Sequence, residues 1–227
     1  MESDFKDFPK QVGDKDYWAQ VKRTVNGQPV SDEDIEMITT AIRSGLDLRE
    51  GGKDHLLDLG CGNGALTALL YDSLAGALGV DYSEFLIGVA QRDFQQTGLF
   101  EYRVDDAHAY LLKETEPTRF NKVLMYGCFA YFPDAVATLT RLRQRFTEVE
   151  RVFIGNMPDL ALVDKFYYKG VPAENELKDF NSKIGIWRTE AQFRALALQA
   201  GWHAAFPRMP EGFYAAHYRY DVVLTPV

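Results

Sequence analysis

Cysteine is scarce in this chain. The 227 residues include two, Cys61 and Cys128, at no spacing that suits a metal and too few to staple a small secreted fold. Clusters of Lys and Arg never exceed a few positions, and 33 acidic against 25 basic side chains leave a net charge of -8. That is the opposite of the basic stripe a polyanion binder displays. No apolar run is long enough for a membrane span or shaped like a secretory leader. Repeats and low-complexity tracts are also missing. These absences point away from disulfide scaffolds, nucleic-acid binders and membrane proteins. They leave a cytoplasmic protein acting on a small neutral or cationic molecule as the expectation.

What is present suffices for one substantial core, since 46% of the residues are hydrophobic and 26% charged; a single α/β domain over residues 1–227 is expected. Its organising stretch is residues 54–83. A short apolar run at 55–59 leads at once into Gly60, Gly62 and Gly64, then into apolar residues at helical spacing over 65–74, then into a second apolar run at 77–80 that ends in Asp81. This reads as buried parallel strand, glycine turn, helix, buried strand. A glycine turn brings bare backbone close to a ligand, and a carboxylate after the second strand can accept both hydroxyls of a ribose. The unit binds a nucleoside.

Gly60-Cys-Gly-Asn-Gly-Ala65 also satisfies the loose dinucleotide pattern G-x-G-x-x-G/A, so the glycines alone leave the nucleoside open. Asp58 bears on the choice. Two residues before the first glycine, a carboxylate repels a pyrophosphate and favours a cationic ligand. The segments Leu57-Asp-Leu-Gly-Cys-Gly-Asn-Gly64 and Gly79-Val-Asp-Tyr-Ser83 resemble the first two signature segments of the class I S-adenosylmethionine-dependent methyltransferases, whose cofactor carries an ammonium and a sulfonium and no phosphate. The resemblance implies a doubly wound, mostly parallel sheet of seven strands whose last strand runs antiparallel. It covers most of the chain from about residue 31. It implies a cofactor site at Asp58, Gly60, Cys61, Gly62, Asp81 and Tyr82. Asp105-Asp106-Ala107, after a third strand at 99–104, resembles the family's adenine segment, with Asp106 at the acidic position and Asp105 a solvated neighbour. Tyr126, closing a fourth strand at 120–125, is expected to border the reacting end of the cofactor.

Substrate-side candidates lie outside the nucleotide half. Residues 1–48 form an N-terminal segment in which Ser31 and Asp34 open a helix over 32–48, and by family resemblance Tyr17 and Trp18 are lid candidates. Tyr131 follows the fourth strand, with no Asn/Asp-Pro-Pro-Tyr segment of the base- or glutamine-modifying enzymes. Residues 157–187 read as an insertion on the ligand side, with Tyr168 and Trp187 as candidates. Arg141, Arg143 and Arg145 read as a solvated helix face. The final strands are expected at 202–208 and 213–224. In the latter, period-two alternation puts His217 on one face with Arg219 and Asp221, and Tyr214, a further candidate, on the other. His217 is the candidate general base, because a hydroxyl nucleophile needs one and a carboxylate or neutral amine does not. A metal-free methyl transfer to oxygen or nitrogen of a small molecule is expected. The rival readings are a non-catalytic S-adenosylmethionine-binding subunit, an NAD-type oxidoreductase, and an RNA methyltransferase that borrows its basic surface.

Overall fold

A computed structural model describes residues 7–227. Seven strands form the main sheet: β1 (Asp54–Leu59), β2 (Leu74–Asp81), β3 (Phe100–Val104), β4 (Lys122–Tyr126), β5 (Arg151–Pro158), β6 (Trp202–Ala205) and β7 (Arg219–Pro226). Their order is β3-β2-β1-β4-β5-β7-β6. The first five pair in parallel, and β7 slots antiparallel between β5 and β6. The expected fold class stands. Order reverses between β1 and β4, and ligands of doubly wound sheets sit at such a point beyond the carboxyl ends of the strands.

Five principal helices cover the sheet: α1 (Asp32–Leu46), α2 (Glu84–Asp93), α3 (Ala107–Lys113), α4 (Ala135–Arg145) and α5 (Glu190–Gln199). Ser31 caps α1 by accepting from the Asp34 amide at 3.1 Å, and Ile38, Ile42 and Leu46 on its inner face are fully buried against Leu124 and Phe153. Each such side chain contributes about 1.5–3 kcal/mol over leaving it in water. On the opposite face α3, α4 and α5 bury Tyr110, Leu139 and Phe193 against Val123, Met125 and Val222.

Four expectations fail locally. The helix after the glycine turn spans only Ala65–Ala68, followed by a 3-10 turn at Tyr71–Ser73, because β2 begins at Leu74. Tyr71 is held in that turn by its ring, stacked 3.6 Å from Phe100, and by its hydroxyl, 2.6 Å from that of Tyr102. Tertiary contacts override the helical pattern there. Residues 213–218 are not strand: three successive turn hydrogen bonds run Phe213 to Pro210, Ala216 to Phe213 and Tyr218 to Ala215, so the alternation inferred across this segment does not exist and β7 starts at Arg219. Arg141, Arg143 and Arg145 are half-buried rather than a solvated face. Arg141 lies 3.0 Å from a His108 ring nitrogen, Arg143 packs over the Trp202 ring, and Arg145 donates to the Leu111 and Glu114 carbonyls. Finally, β5 runs through Pro158, so the irregular segment begins at residue 159.

Candidate functional site

The glycine turn is shaped by both strands that flank it. Gly60 and Cys61 both donate to the Val80 carbonyl, at 2.7 and 3.2 Å, which swings the chain off the end of β1 and across the end of β2. Gly62 and Gly64 then take φ of 59° and 76°, where a Cβ is strained. A Cβ on Gly64 would lie 2.7 Å from the Tyr102 ring.

Two buried carboxylates flank this turn. Asp58, the fifth residue of β1, accepts from the Thr67 hydroxyl at 2.6 Å. Burial pushes its pKa up to about 7, the Thr67 bond opposes the rise, the Asp81 charge adds to it and Arg23 lowers it. Asp81 ends β2 and accepts from the amides of Gly62 (3.0 Å) and Ser83 (2.9 Å). Its pKa is raised by burial and drawn back by those two bonds. Each oxygen keeps a lone-pair direction for a further donor. No cluster of potential metal ligands occurs among the described residues.

The N-terminal segment lies over this turn. The amide nitrogen of Asn63 donates to the Tyr17 carbonyl (2.8 Å) and to the Gln20 side chain (2.9 Å). Tyr17 in turn donates its hydroxyl to Asp93 at 3.0 Å and sets its ring against Phe94. Val21 reaches within 2.8 Å of the position a Cβ on Gly62 would take. Arg23, tied to Trp18 by a backbone bond of 2.8 Å, lays its guanidinium over the Trp18 ring (5.3 Å) and the Tyr126 ring (5.0 Å). Sequence reasoning missed Arg23. The signal was a cation five residues after an aromatic side chain, just before the Asn26-Gly27 turn.

The remaining nucleotide-side candidates are arranged differently from expectation. Asp105, expected to be a solvated neighbour, is the less exposed of the acidic pair, with 9% of its side chain accessible and Lys113 at 2.7 Å. Its amide also donates to the Asp81 carbonyl at 2.9 Å. Asp106 is exposed and caps α3 by accepting from the Ala109 amide at 2.8 Å, with half-buried Ala107 starting that helix. Tyr82 lies 44% exposed beside the buried Asp81. Cys61 and Cys128 are free thiols, both raised in pKa by burial.

On the substrate side the candidates divide. Tyr126 is buried at the carboxyl end of β4, its hydroxyl raised well above the usual range by burial. Half-buried Tyr131 donates to the Lys183 carbonyl at 3.0 Å, and the ring of half-buried Tyr214 lies tilted against that of Phe213. Trp187 is 2% exposed and packs among Phe166, Tyr167 and Tyr218, as an anchor of the irregular segment. Tyr168 points to solvent, 79% exposed. His217 is exposed in the turns before β7, its ring against Tyr218; without the strand, nothing aims it at Tyr126.

Three polar residues that sequence reasoning did not select sit at that end of the sheet instead. Asn156, Arg219 and Asp221 meet where β5 and β7 fall out of register, and the Asn156 amide donates to Asp221 at 2.7 Å. Burial pushes the Asp221 pKa up to about 6, against the pull of the Asn156 bond and of Arg219. Polar residues inside apolar strand sequence were the available signal.

Comparison with known proteins agrees with this geometry. Residues 51–192 match the family model described as a methyltransferase domain. A ubiquinone biosynthesis O-methyltransferase of Methylococcus capsulatus is 39% identical over 90 residues, 38% of this chain and 37% of that protein. An uncharacterized protein of Haemophilus influenzae is 31% identical over 134 residues, 56% of this chain and 52% of that one. The matches thus span between about a third and about half of these curated relatives' lengths. The crystal structure of magnesium protoporphyrin IX methyltransferase from Synechocystis PCC 6803 with bound SAH shares the fold at TM-score 0.59 and 17% identity, over 86% of this chain and 83% of that one. With a family model matched over more than half of its length, on a seven-stranded sheet of the same architecture, the chain belongs to the methyltransferase-domain family.

Proposed function

We propose that the protein transfers a methyl group from S-adenosylmethionine to an oxygen or nitrogen of a small molecule. The observation that carries this reading is the pair of buried carboxylates, Asp58 and Asp81, on either side of a glycine turn. Asp81 suits a ribose of either nucleotide, but Asp58 directly before the turn would repel a pyrophosphate. Asp58 within electrostatic reach of the Arg23 guanidinium, with Asp81 on the other side of the turn, suits a ligand with an ammonium, a carboxylate and two vicinal hydroxyls. The relative named for O-methyl transfer supports oxygen as acceptor atom.

When bound, the cofactor supplies an electrophilic methyl group on a sulfonium. The chain's own part is to position and to exclude water. Asp81 takes the ribose hydroxyls on the lone pairs that Gly62 and Ser83 leave. Asp58, held by Thr67, favours the ammonium. Arg23 takes the carboxylate, and Tyr126 walls the reacting end. The segment from Tyr17 to Arg23 acts as a lid, since it already rests on the turn through Asn63. His217 drops out as the base. This reading keeps the protein in a reducing cytoplasm, where its two free thiols persist; no described helix is long and apolar enough to cross a membrane.

Calorimetric titration with S-adenosylmethionine, its demethylated product and NAD in parallel tests the assignment. Binding of the first two alone is expected. Binding of NAD, or of none, overturns it. Demethylated product accumulating with an acceptor panel then separates an enzyme from a binding subunit.

A further inference from the structure

Where β5 leaves the sheet, one extra residue breaks its pairing with β7: Ile154 faces Val222, and Met157 faces Tyr220. The bulge puts Asn156 at φ 65°, a left-handed conformation that a non-glycine residue holds only where its surroundings enforce it, and that concentrates at functional positions. Here the enforcement is visible. The Asn156 amide is bound by Asp221, and its carbonyl accepts from Nη1 of Arg219. The side-chain oxygen of Asn156 and Nε of Arg219 are enclosed and have no hydrogen-bond partner among the described residues. Buried polar atoms in native proteins are almost always paired, so the enclosed Nε–H of Arg219 is a donor poised for an acceptor, whereas the Asn156 oxygen, itself an acceptor, plays no part in holding an anion.

Arg43 shows how a half-buried arginine can be neutralised in this chain, since it holds Asp72 at 2.8 Å. Arg219 has no ion pair among the described residues, although its charge acts on the buried carboxyl of Asp221; its other neighbours are aromatic. Its guanidinium sits 4.8 Å over the Tyr218 ring and lies within electrostatic reach of Tyr126, Tyr131, Tyr167 and Tyr214. The same bulge abuts the turn after Tyr126, since the Asn156 amide nitrogen lies 3.8 Å from where a Cβ on Gly127 would stand. Tyr126 therefore lies within reach of two guanidiniums, Arg23 at 5.0 Å over its ring and Arg219.

We propose that Arg219 recognises a carboxylate on the methyl acceptor, so that the substrate is a small carboxylic acid whose body packs among tyrosines. The inference rests on the methyltransferase reading above. With Nη1 spent on the Asn156 carbonyl, the Nε–Nη2 edge of the guanidinium remains, the edge that takes a planar carboxylate bidentately. One guanidinium with the Asp221 carboxyl already near it matches a single negative charge better than the double charge of a phosphate monoester. Arg23 is committed to the cofactor side.

The test uses the whole chain saturated with the demethylated cofactor, titrated with benzoate and benzamide, which share a ring and differ in charge. Benzoate should bind about tenfold more tightly than benzamide, the range of a charge-assisted bidentate contact. Arg219→Gln should abolish that preference while binding the demethylated cofactor as the wild type does, and Arg219→Lys should restore part of it. Equal affinities, no binding of benzoate, or a preference that survives in Arg219→Gln overturns the proposal. Failure of the wild type to bind the demethylated cofactor itself strikes the underlying reading instead, so the two failures are distinguishable. The wild-type comparison needs no variant to fold.

Discussion

The side-chain nitrogen of Asn63 lies 2.8 Å from the carbonyl oxygen of Tyr17, a hydrogen bond across 46 positions of sequence that ties the glycine turn to the segment covering it. Asn63 is 2% exposed and Gln20, its second acceptor, 1%. Asn63→Ala leaves both acceptors short of a donor inside the protein, a loss of about 1–3 kcal/mol. The expected outcome is faster proteolysis between residues 13 and 30 and weaker cofactor binding. Proteolysis at the wild-type rate would show that the covering segment is held by something else.

Asp81 is the residue on which cofactor affinity should depend most. Asp81→Ala removes the carboxylate that orders the Gly62 and Ser83 amides. Calorimetry should show at least about a hundredfold loss, close to 3 kcal/mol. Unchanged affinity refutes the ribose assignment.

Asp58 makes a pH prediction with a definite sign. Its pKa in the folded protein is about 7 against an ordinary 3.8, so between those values the folded state holds a proton that the unfolded state has released. The stability from neutral Asp58 is complete below about pH 4 and is lost as the pH rises through about 7. Asp58→Asn removes the dependence. The melting temperature of the variant relative to wild type should therefore climb from acid to alkaline pH, and a flat difference contradicts a buried, raised Asp58. A bound ammonium favours the carboxylate, so cofactor binding near pH 6 should release protons in the wild type and fewer in the variant, measured in buffers of different ionisation enthalpy.

Gly64→Ala meets both the left-handed backbone and the Tyr102 ring 2.7 Å away. Strain and overpacking together should lower the unfolding free energy in urea by about 2–4 kcal/mol. A loss under about 0.5 kcal/mol, typical of a harmless surface change, contradicts the close approach.

Tyr168→Ala and His217→Ala serve as contrasts. With Tyr168 79% exposed and His217 exposed outside any strand, stability should stay within about 0.5 kcal/mol. Once an acceptor is known, kcat and its pH profile should be unchanged in His217→Ala. A lost limb of that profile would return His217 to the chemistry.

The nucleotide half was legible because its signals are local. A buried strand, a turn of glycines, a carboxylate two residues before it and another at the end of the next strand all occur within residues 54–83. They reflect backbone sterics and burial that any chain with this pattern obeys. The acceptor half was not legible. Period-two alternation over 213–221 looked like strand, yet Phe213, Ala215 and Tyr218 bury their side chains from a run of turns, because aromatic clusters fill space without regular periodicity. Tyr168 and Trp187 looked alike in sequence and ended as a solvent-facing ring and a packed anchor.

By itself, then, the order of residues determined the α/β class, the glycine turn and the acids beside it, since each depends on neighbours close in sequence or on apolar pattern. Tertiary structure alone decided that Arg23 reaches Tyr126, that Asn63 fastens the N-terminal segment, and that Asn156, Arg219 and Asp221 meet at a bulge. Those meetings join residues up to 103 positions apart, as Arg23 and Tyr126 are. Their physical cause is the register of β7 against β5 and the burial of charge where strands end, which no local window contains.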